Sequence, residues 1–248
     1  MIAVGTGLFT MWNDIPPAYG REFALMHTRD HVPEHMAYLG DDGIRWARRC
    51  IDGQGDMPRF FTFYGLTSLD VLTDEKHAKC KVTETAWFLK MRPHYRDRIA
   101  YHCSVLASAG GGTGGTVATL LIDFADDARQ DAPRLAALVD DLTRLSPVVG
   151  AHLAAPEWNV PIRVGEALPA GREGNEAVGV VILEGFDRYE LAACLEDVRE
   201  QLVASGVAAR VRSAGHYAQA YRLDYDELAH LEHFRRDDAL ITERFDLK

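Results

Sequence analysis

One order of predicted elements occurs twice along the 248 residues, and that repetition constrains the fold more than any single motif. In the first half, Ile2–Trp12 reads as a strand and Tyr19–Leu39 as a helical stretch. Ile44–Asp52 and Arg59–Thr67 read as strands, Leu69–Lys79 as a short helix, and Ile99–Ser108 as a last strand. In the second half, Thr116–Phe124 reads as a strand, and Leu135, Leu138, Val139, Leu142 and Leu145 share one helical face. Val148–Ala154 and Val178–Gly185 read as strands, and Leu191, Leu195, Val198 and Leu202 form a second helical stripe. Ala208–Tyr225 supplies the last strand or two, and Asp226–Arg236 reads as a closing helix. Each half is βαββαβ.

Such a unit makes a four-stranded antiparallel sheet with both helices on one face, and its other face is apolar and needs cover. Two units in one chain can cover each other sheet to sheet and close a barrel. Two independent domains on a flexible linker are the competing arrangement. The expected organisation is an α+β single-chain barrel: one unit over residues 1–109, a Gly-rich linker over 110–115, and a second unit over 116–248 with the closing helix. A pocket is expected either inside the barrel or between a sheet and its helices.

Composition narrows the partners. With 47% hydrophobic and 26% charged residues the chain can bury a sizeable core. A net charge of −10, with no basic stripe interleaved with aromatics, argues against nucleic acid. The start, MIAVGTGLFTMW, lacks the pattern of a signal peptide, and the densest apolar run, Val178 to Leu183, is too short to span a bilayer. Cys50, Cys80, Cys103 and Cys194 show no C-x-x-C spacing and read as reduced thiols. These features predict a cytoplasmic protein without a membrane partner; a homo-oligomer is compatible with them.

The first half resembles the dimeric α/β-barrel superfamily of ferredoxin-like proteins, particularly its EthD-like and related uncharacterised branches. The residues that carry the resemblance are Phe23, Met26, His31, Pro33, Glu34 and Gly40, then Arg48–Arg49–Cys50, the strand Phe60–Tyr64, and the segment Trp87 to Arg96. Met26 stands where such proteins often carry Trp. The second half matches only by its order of elements; the resemblance covers residues 5 to about 105. It does not choose among cyclases, isomerases, cofactor-free monooxygenases, dehydratases, haem-using enzymes and proteins without activity.

Candidate chemistry gathers near a helix interruption. His27, His31 and His35 fall at i, i+4 and i+8, a spacing that puts imidazoles on one helix face, but Thr28 stands where a zinc protease carries its Glu. Pro33 is expected to break the run and displace His35, with Pro33 and Glu34 opening a new helical segment. His31, just before that break, is the candidate general acid or base. Arg48 and Arg49 alternate on a strand, so one faces each side of the sheet; Glu34 is the expected partner of one of them, and the other function open to them is to steady developing negative charge. Tyr64, Trp87 and His102 are candidate substrate-binding residues, and no metal site is expected.

The run Gly110–Gly115 satisfies G-x-G-x-x-G, but a strand follows where a dinucleotide site needs a helix, so it reads as a linker. The Pro- and Gly-rich segment Pro156–Glu176 reads as a lid or an oligomer contact. The leading expectation is a cofactor-independent enzyme of cyclase, isomerase or dehydratase type acting on a hydrophobic, carbonyl-bearing small molecule. A haem-binding enzyme, with His152 or His216 as axial ligand, and a non-catalytic binding or assembly module are the alternatives.

Overall fold

The computed structural model describes residues 5–73, 84–158, 177–230 and 244. The first unit contributes strands β1 (Gly7–Asp14), β2 (Ile44–Gly55), β3 (Phe60–Leu66) and β4 (Arg96–Gly110). The second contributes β5 (Thr116–Phe124), β6 (Val148–Pro156), β7 (Val178–Gly185) and β8 (Ala208–Asp224). All eight close into one antiparallel barrel in the order β1–β3–β2–β8–β5–β7–β6–β4.

Two long strands make the closure. β4, 15 residues long, pairs with β1 through Arg96–Ser104 and with β6 through Cys103–Gly110. β8, 17 residues long, does the same with β5 and then β2. Each is the last strand of its unit, and each overruns its own sheet to hydrogen-bond the second strand of the other. The two seams are therefore equivalent, and among the described residues no sheet edge is left for edge-to-edge pairing.

Alternation along the strands sorts the side chains. Leu8, Trp12, Phe61, Phe63, Val180 and Tyr217 belong to one buried cluster inside the barrel. Burial of each such side chain contributes on the order of 1.5–3 kcal/mol. Gly65 has no side chain because the Trp46 indole lies across it; a Cβ there would meet the ring at 2.2 Å. On the outer face of the second unit, α4 (Ala132–Leu142), α5 (Arg188–Ala193) and α6 (Leu195–Ala204) complete an apolar core with Leu120, Val181 and Leu183. The first unit carries helices α1 (Gly20–Met26), α2 (Val32–Leu39) and α3 (Ala86–Met91). Caps start three of these helices: Thr85 accepts from Phe88 N–H, Asp131 from Arg134 N–H, and Asp187 from Tyr189 and Glu190 N–H.

Some expected elements differ in detail. Ala208–Tyr225 is one strand rather than two, because β8 must reach both neighbours. The helix expected at Leu69–Lys79 is a 3-10 turn over Leu69–Leu72, and its part from 74 onward lies outside the described residues. The closing helix expected at Asp226–Arg236 begins as a 3-10 turn, Tyr225–His230, and its remainder also lies outside them, as do Cys80 and most of Pro156–Glu176. Cys50, Cys103 and Cys194 are buried free thiols. Among the described residues no helix is long and apolar enough to cross a membrane.

Candidate active site

The helix that leaves β1 is regular only in part. α1 ends at Met26, residues His27–His31 form a π turn, and α2 continues from Val32. The Val32 N–H donates to the His27 carbonyl, five residues back. Pro33, in the first turn of α2, has no N–H and its ring would crowd a carbonyl in a tight α turn; the wider π turn relieves that conflict. The helix therefore runs on through Pro33, and the expected displacement of His35 does not occur. The rings of His27 and His31 lie 4.9 Å apart and those of His31 and His35 4.3 Å apart, in series.

His31 and His35 of this series line a cavity between the outer face of the first sheet and its helices. Phe9 and Tyr64 form the sheet wall, stacked at 5.7 Å. His31 forms the helix wall, lying flat on Phe88 at 4.3 Å with an interplanar angle of 7°. Tyr95 closes one side, and His35, Arg92 and Arg98 also contribute to the lining. Its enclosed volume is about 80 Å³, and the figure reaches about 600 Å³ only when the open space at its mouth is counted. Arg92 is paired with Glu84, another lining residue, at 3.1 Å. In the second unit the space between sheet and helices is filled by Leu135, Leu138, Val139, Leu142, Val198 and Leu202 instead.

The hydroxyl of Tyr95, a lining residue, lies 2.7 Å from Nε2 of His27, which stands behind the lining. Burial, then the charge of Arg49, then His35 hold His27 well below the ordinary imidazole range, so it is neutral at pH 7. Burial and then Tyr64 push the Tyr95 phenol up, so it keeps its proton. His27 Nδ1 has no hydrogen-bond partner among the described residues. Arg49 faces the same side. Its Nη1 donates to the Ala24 carbonyl at 2.9 Å and to Thr28 Oγ1 at 3.0 Å, while Nε and Nη2 have no hydrogen-bond partner among the described residues. Burial lowers its pKa to about 10, against the favourable fields of Tyr64 and Tyr95, so the guanidinium stays charged.

Of the seven residues singled out in the sequence, His31 and Tyr64 line the cavity. Arg49 sits behind the wall, electrostatically coupled to both lining tyrosines. Arg48 points the other way, into the barrel, where it pairs with Glu184 at 2.5 Å and donates to Thr113 at 3.2 Å. The expected pairing of a strand arginine with Glu34 is thus replaced, because barrel closure supplies Arg48 with a carboxylate and α1 supplies Arg49 with a carbonyl. Glu34 is buried on α2 and is not among the lining residues. Trp87 donates from Nε1 to Glu22 at 3.1 Å and packs with Phe23 and Met26 away from the lining. His102 is buried edge-on to Phe9 at 4.9 Å. Tyr95 and Phe88 are the additions that sequence reasoning missed. Both lie in the Trp87–Arg96 segment that carried the resemblance, which was the available signal.

No known family signature and no curated protein matches the chain. Solved structures do. An anthrone oxidase-like protein aligns with a TM-score of 0.59 at 9% identity, over 90% of this chain and 94% of its own. The fold is that of the dimeric α/β barrel. A protein from Fusobacterium nucleatum subsp. nucleatum, provisionally named a monooxygenase, aligns at TM-score 0.53 and 6% identity, over 89% of this chain and 95% of its own. One from Lactobacillus acidophilus, named in the same way, aligns at 0.53 and 8%, over 89% and 97%. In this dimeric α/β barrel both units belong to a single chain.

Among the described residues no group of three or more His, Cys, Asp or Glu side chains is arranged to hold a metal ion. His152 and His216, the second-half axial candidates of the haem alternative, lie outside the lining of this cavity; His152 has both ring nitrogens engaged, by Ser108 and Glu184.

Proposed function

We propose that the first-unit cavity binds a flat, hydrophobic, carbonyl-bearing small molecule and removes a proton from a carbon activated by that carbonyl, directly or through a conjugated ring, without a cofactor. The observation that carries this reading is the π turn, which sets the His31 ring on an aromatic wall facing Tyr64 and Tyr95. The stacked ring pairs Phe9–Tyr64 and His31–Phe88 give the lining aromatic surface that favours a planar ligand. His31, part of the H-x-P-E step that resembles EthD-like proteins, is the base. The Tyr95 hydroxyl, kept protonated, donates to the carbonyl oxygen as negative charge develops there, and His27 orients it. Arg49 steadies that charge through the two lining tyrosines. Arg92, Arg98 and Glu84 form the charged part of the lining.

The stabilised carbanion is the common intermediate of isomerisation, cyclisation and dehydration, and of oxidation of electron-rich aromatics by oxygen. Names of the structural neighbours, an anthrone oxidase-like protein and two proteins provisionally named monooxygenases, favour the aromatic end of that range. Anthrone, a planar tricyclic ketone with an acidic C–H, is therefore the first substrate to try. Its carbon-bound hydrogens exchange with D₂O, and NMR follows the exchange without any assumption about the product. A rate that rises with protein and saturates with anthrone supports the reading. A rate equal to that of buffer overturns it.

A further inference from the structure

On the opposite face of the sheet, at the mouth of the barrel, three side chains stand in a row that the cavity chemistry does not use. Ser108 Oγ lies 2.9 Å from His152 Nδ1, and His152 Nε2 lies 3.2 Å from Glu184 Oε1. The seam between the two units builds this row. Ser108 and His152 are direct partners across β4 and β6, and Glu184 reaches His152 from β7 over Gly150, the residue it pairs with. A Cβ at Gly150 would stand 3.6 Å from His152 Nε2 and 3.8 Å from Glu184 Cβ, ordinary contact distances, so the row passes directly over this position.

Burial grades along the row as nucleophilic catalysis requires. Glu184 is 0% exposed, His152 is 5% exposed, and Ser108 is exposed to solvent. Burial alone would raise the Glu184 pKa, but the hydrogen bond from His152 and the charge of Arg48 outweigh it and keep the carboxylate ionised. Gly114 N–H donates to its second oxygen at 3.1 Å. An ionised acceptor on Nε2 selects the tautomer with hydrogen on Nε2, so the Nδ1 lone pair faces the serine hydroxyl. The nitrogens are used in the reverse of the usual serine-protease order, with the same roles of acid, base and nucleophile.

From this geometry we infer that Ser108, His152 and Glu184 form a second active site, a serine esterase for small, unhindered acyl esters. Ser108 Oγ attacks the ester carbonyl carbon while its proton passes to His152 Nδ1. The tetrahedral intermediate collapses, the carbon–alkoxy bond breaks, and the imidazolium returns that proton to the leaving alcohol. Water then attacks the acyl-serine, giving a proton to His152; the carbon–Oγ bond breaks, the carboxylic acid departs, and Ser108 recovers its proton. Cβ atoms built at Gly111, Gly112 and Gly115 would meet nothing within 4 Å, so the turn that follows β4 stands open to solvent, as the exposed Ser108 does. Because Arg48 shares the Glu184 carboxylate, turnover is expected to be slow and the acyl-enzyme to accumulate.

The full chain is treated with a fluorophosphonate and, separately, with p-nitrophenyl acetate, then read by intact mass and peptide mapping. One adduct at Ser108 with either reagent is expected, absent in Ser108→Ala, lost when the wild type is unfolded in urea, and at least tenfold slower to form in His152→Gln. No adduct, an adduct on another residue, or labelling that persists in urea would overturn the assignment. So would an unchanged rate in folded His152→Gln. Anthrone exchange in Ser108→Ala reports separately on the first cavity, so failure of one site is distinguishable from failure of the other.

Discussion

The Tyr95 hydroxyl and His27 Nε2 are 2.7 Å apart, and together they put a neutral donor on the cavity wall with a neutral imidazole behind it. His27 is fully buried, and Tyr95 is half-buried at the cavity lining. Tyr95→Phe removes the donor and leaves the His27 ring nitrogen unsatisfied. The expected cost is about 1–3 kcal/mol of stability, together with an exchange rate lowered by about a hundredfold. Urea denaturation and the anthrone assay measure the two effects independently.

His27 also predicts a pH dependence. Its folded pKa lies below the unfolded value of 6.5, so the unfolded chain binds the extra proton first as pH falls. Stability contributed by neutral His27 is therefore complete above pH 6.5 and declines below it, by at most about 1.4 kcal/mol per pH unit. In His27→Gln that component disappears. Denaturation at pH 7.5 and 5.5 should show the wild type losing more stability than the variant over this interval; equal losses would contradict the assignment.

Much of the architecture was legible because β-strands and helices write different periods, and the same order appeared in both halves. Barrel closure followed from the apolar inner face each sheet would otherwise expose. The partner of Arg48 was not legible. Glu184 lies 136 residues away, and only the β2–β8 seam and the enclosed interior bring the two together. His31 could be found because a proline step marks its backbone. Tyr95 could not, since it follows a short 3-10 turn, Arg92–His94, with no periodicity to reveal its direction. Pro33 misled for a physical reason: a π turn absorbs a proline that an α turn would reject, so His35 stays in series with His31.

Arg48 and Glu184 are both almost completely buried and join the two units inside the barrel. Arg48→Met leaves the carboxylate without its cation and should cost about 3–5 kcal/mol. Adding Glu184→Leu should recover part of that loss, because the uncompensated charge is then gone. A double-mutant cycle by urea denaturation measures the coupling, and strictly additive single effects would contradict a direct pair.

Gly65 tests the packing of the barrel interior. Gly65→Ala sets a Cβ 2.2 Å from the Trp46 indole, which stacks beneath Arg48 at 4.5 Å. Over-packing of this kind should destabilise the chain by about 1–3 kcal/mol. The Trp46 ring would have to move, so near-UV circular dichroism should change along with the melting temperature.

Separated units should not persist as monomers. Residues 1–109 alone would expose the strand edges that form the β2–β8 and β4–β6 seams, as well as the apolar inner face. Size-exclusion chromatography of each unit should show aggregates or self-paired oligomers. Two monomeric, cooperatively melting halves would contradict the barrel as the folding unit.

The central claim is that His31, carried on the π turn, takes a proton from the ligand in the first-unit cavity. The most direct measurement is deuterium exchange into anthrone by His31→Gln beside the wild type, with binding affinity and melting temperature recorded for both. The account predicts an exchange rate at least about a hundredfold lower, with affinity and melting temperature little changed, because Gln still packs on Phe88 and can hydrogen-bond. An unchanged rate in a folded His31→Gln variant that binds anthrone would contradict it.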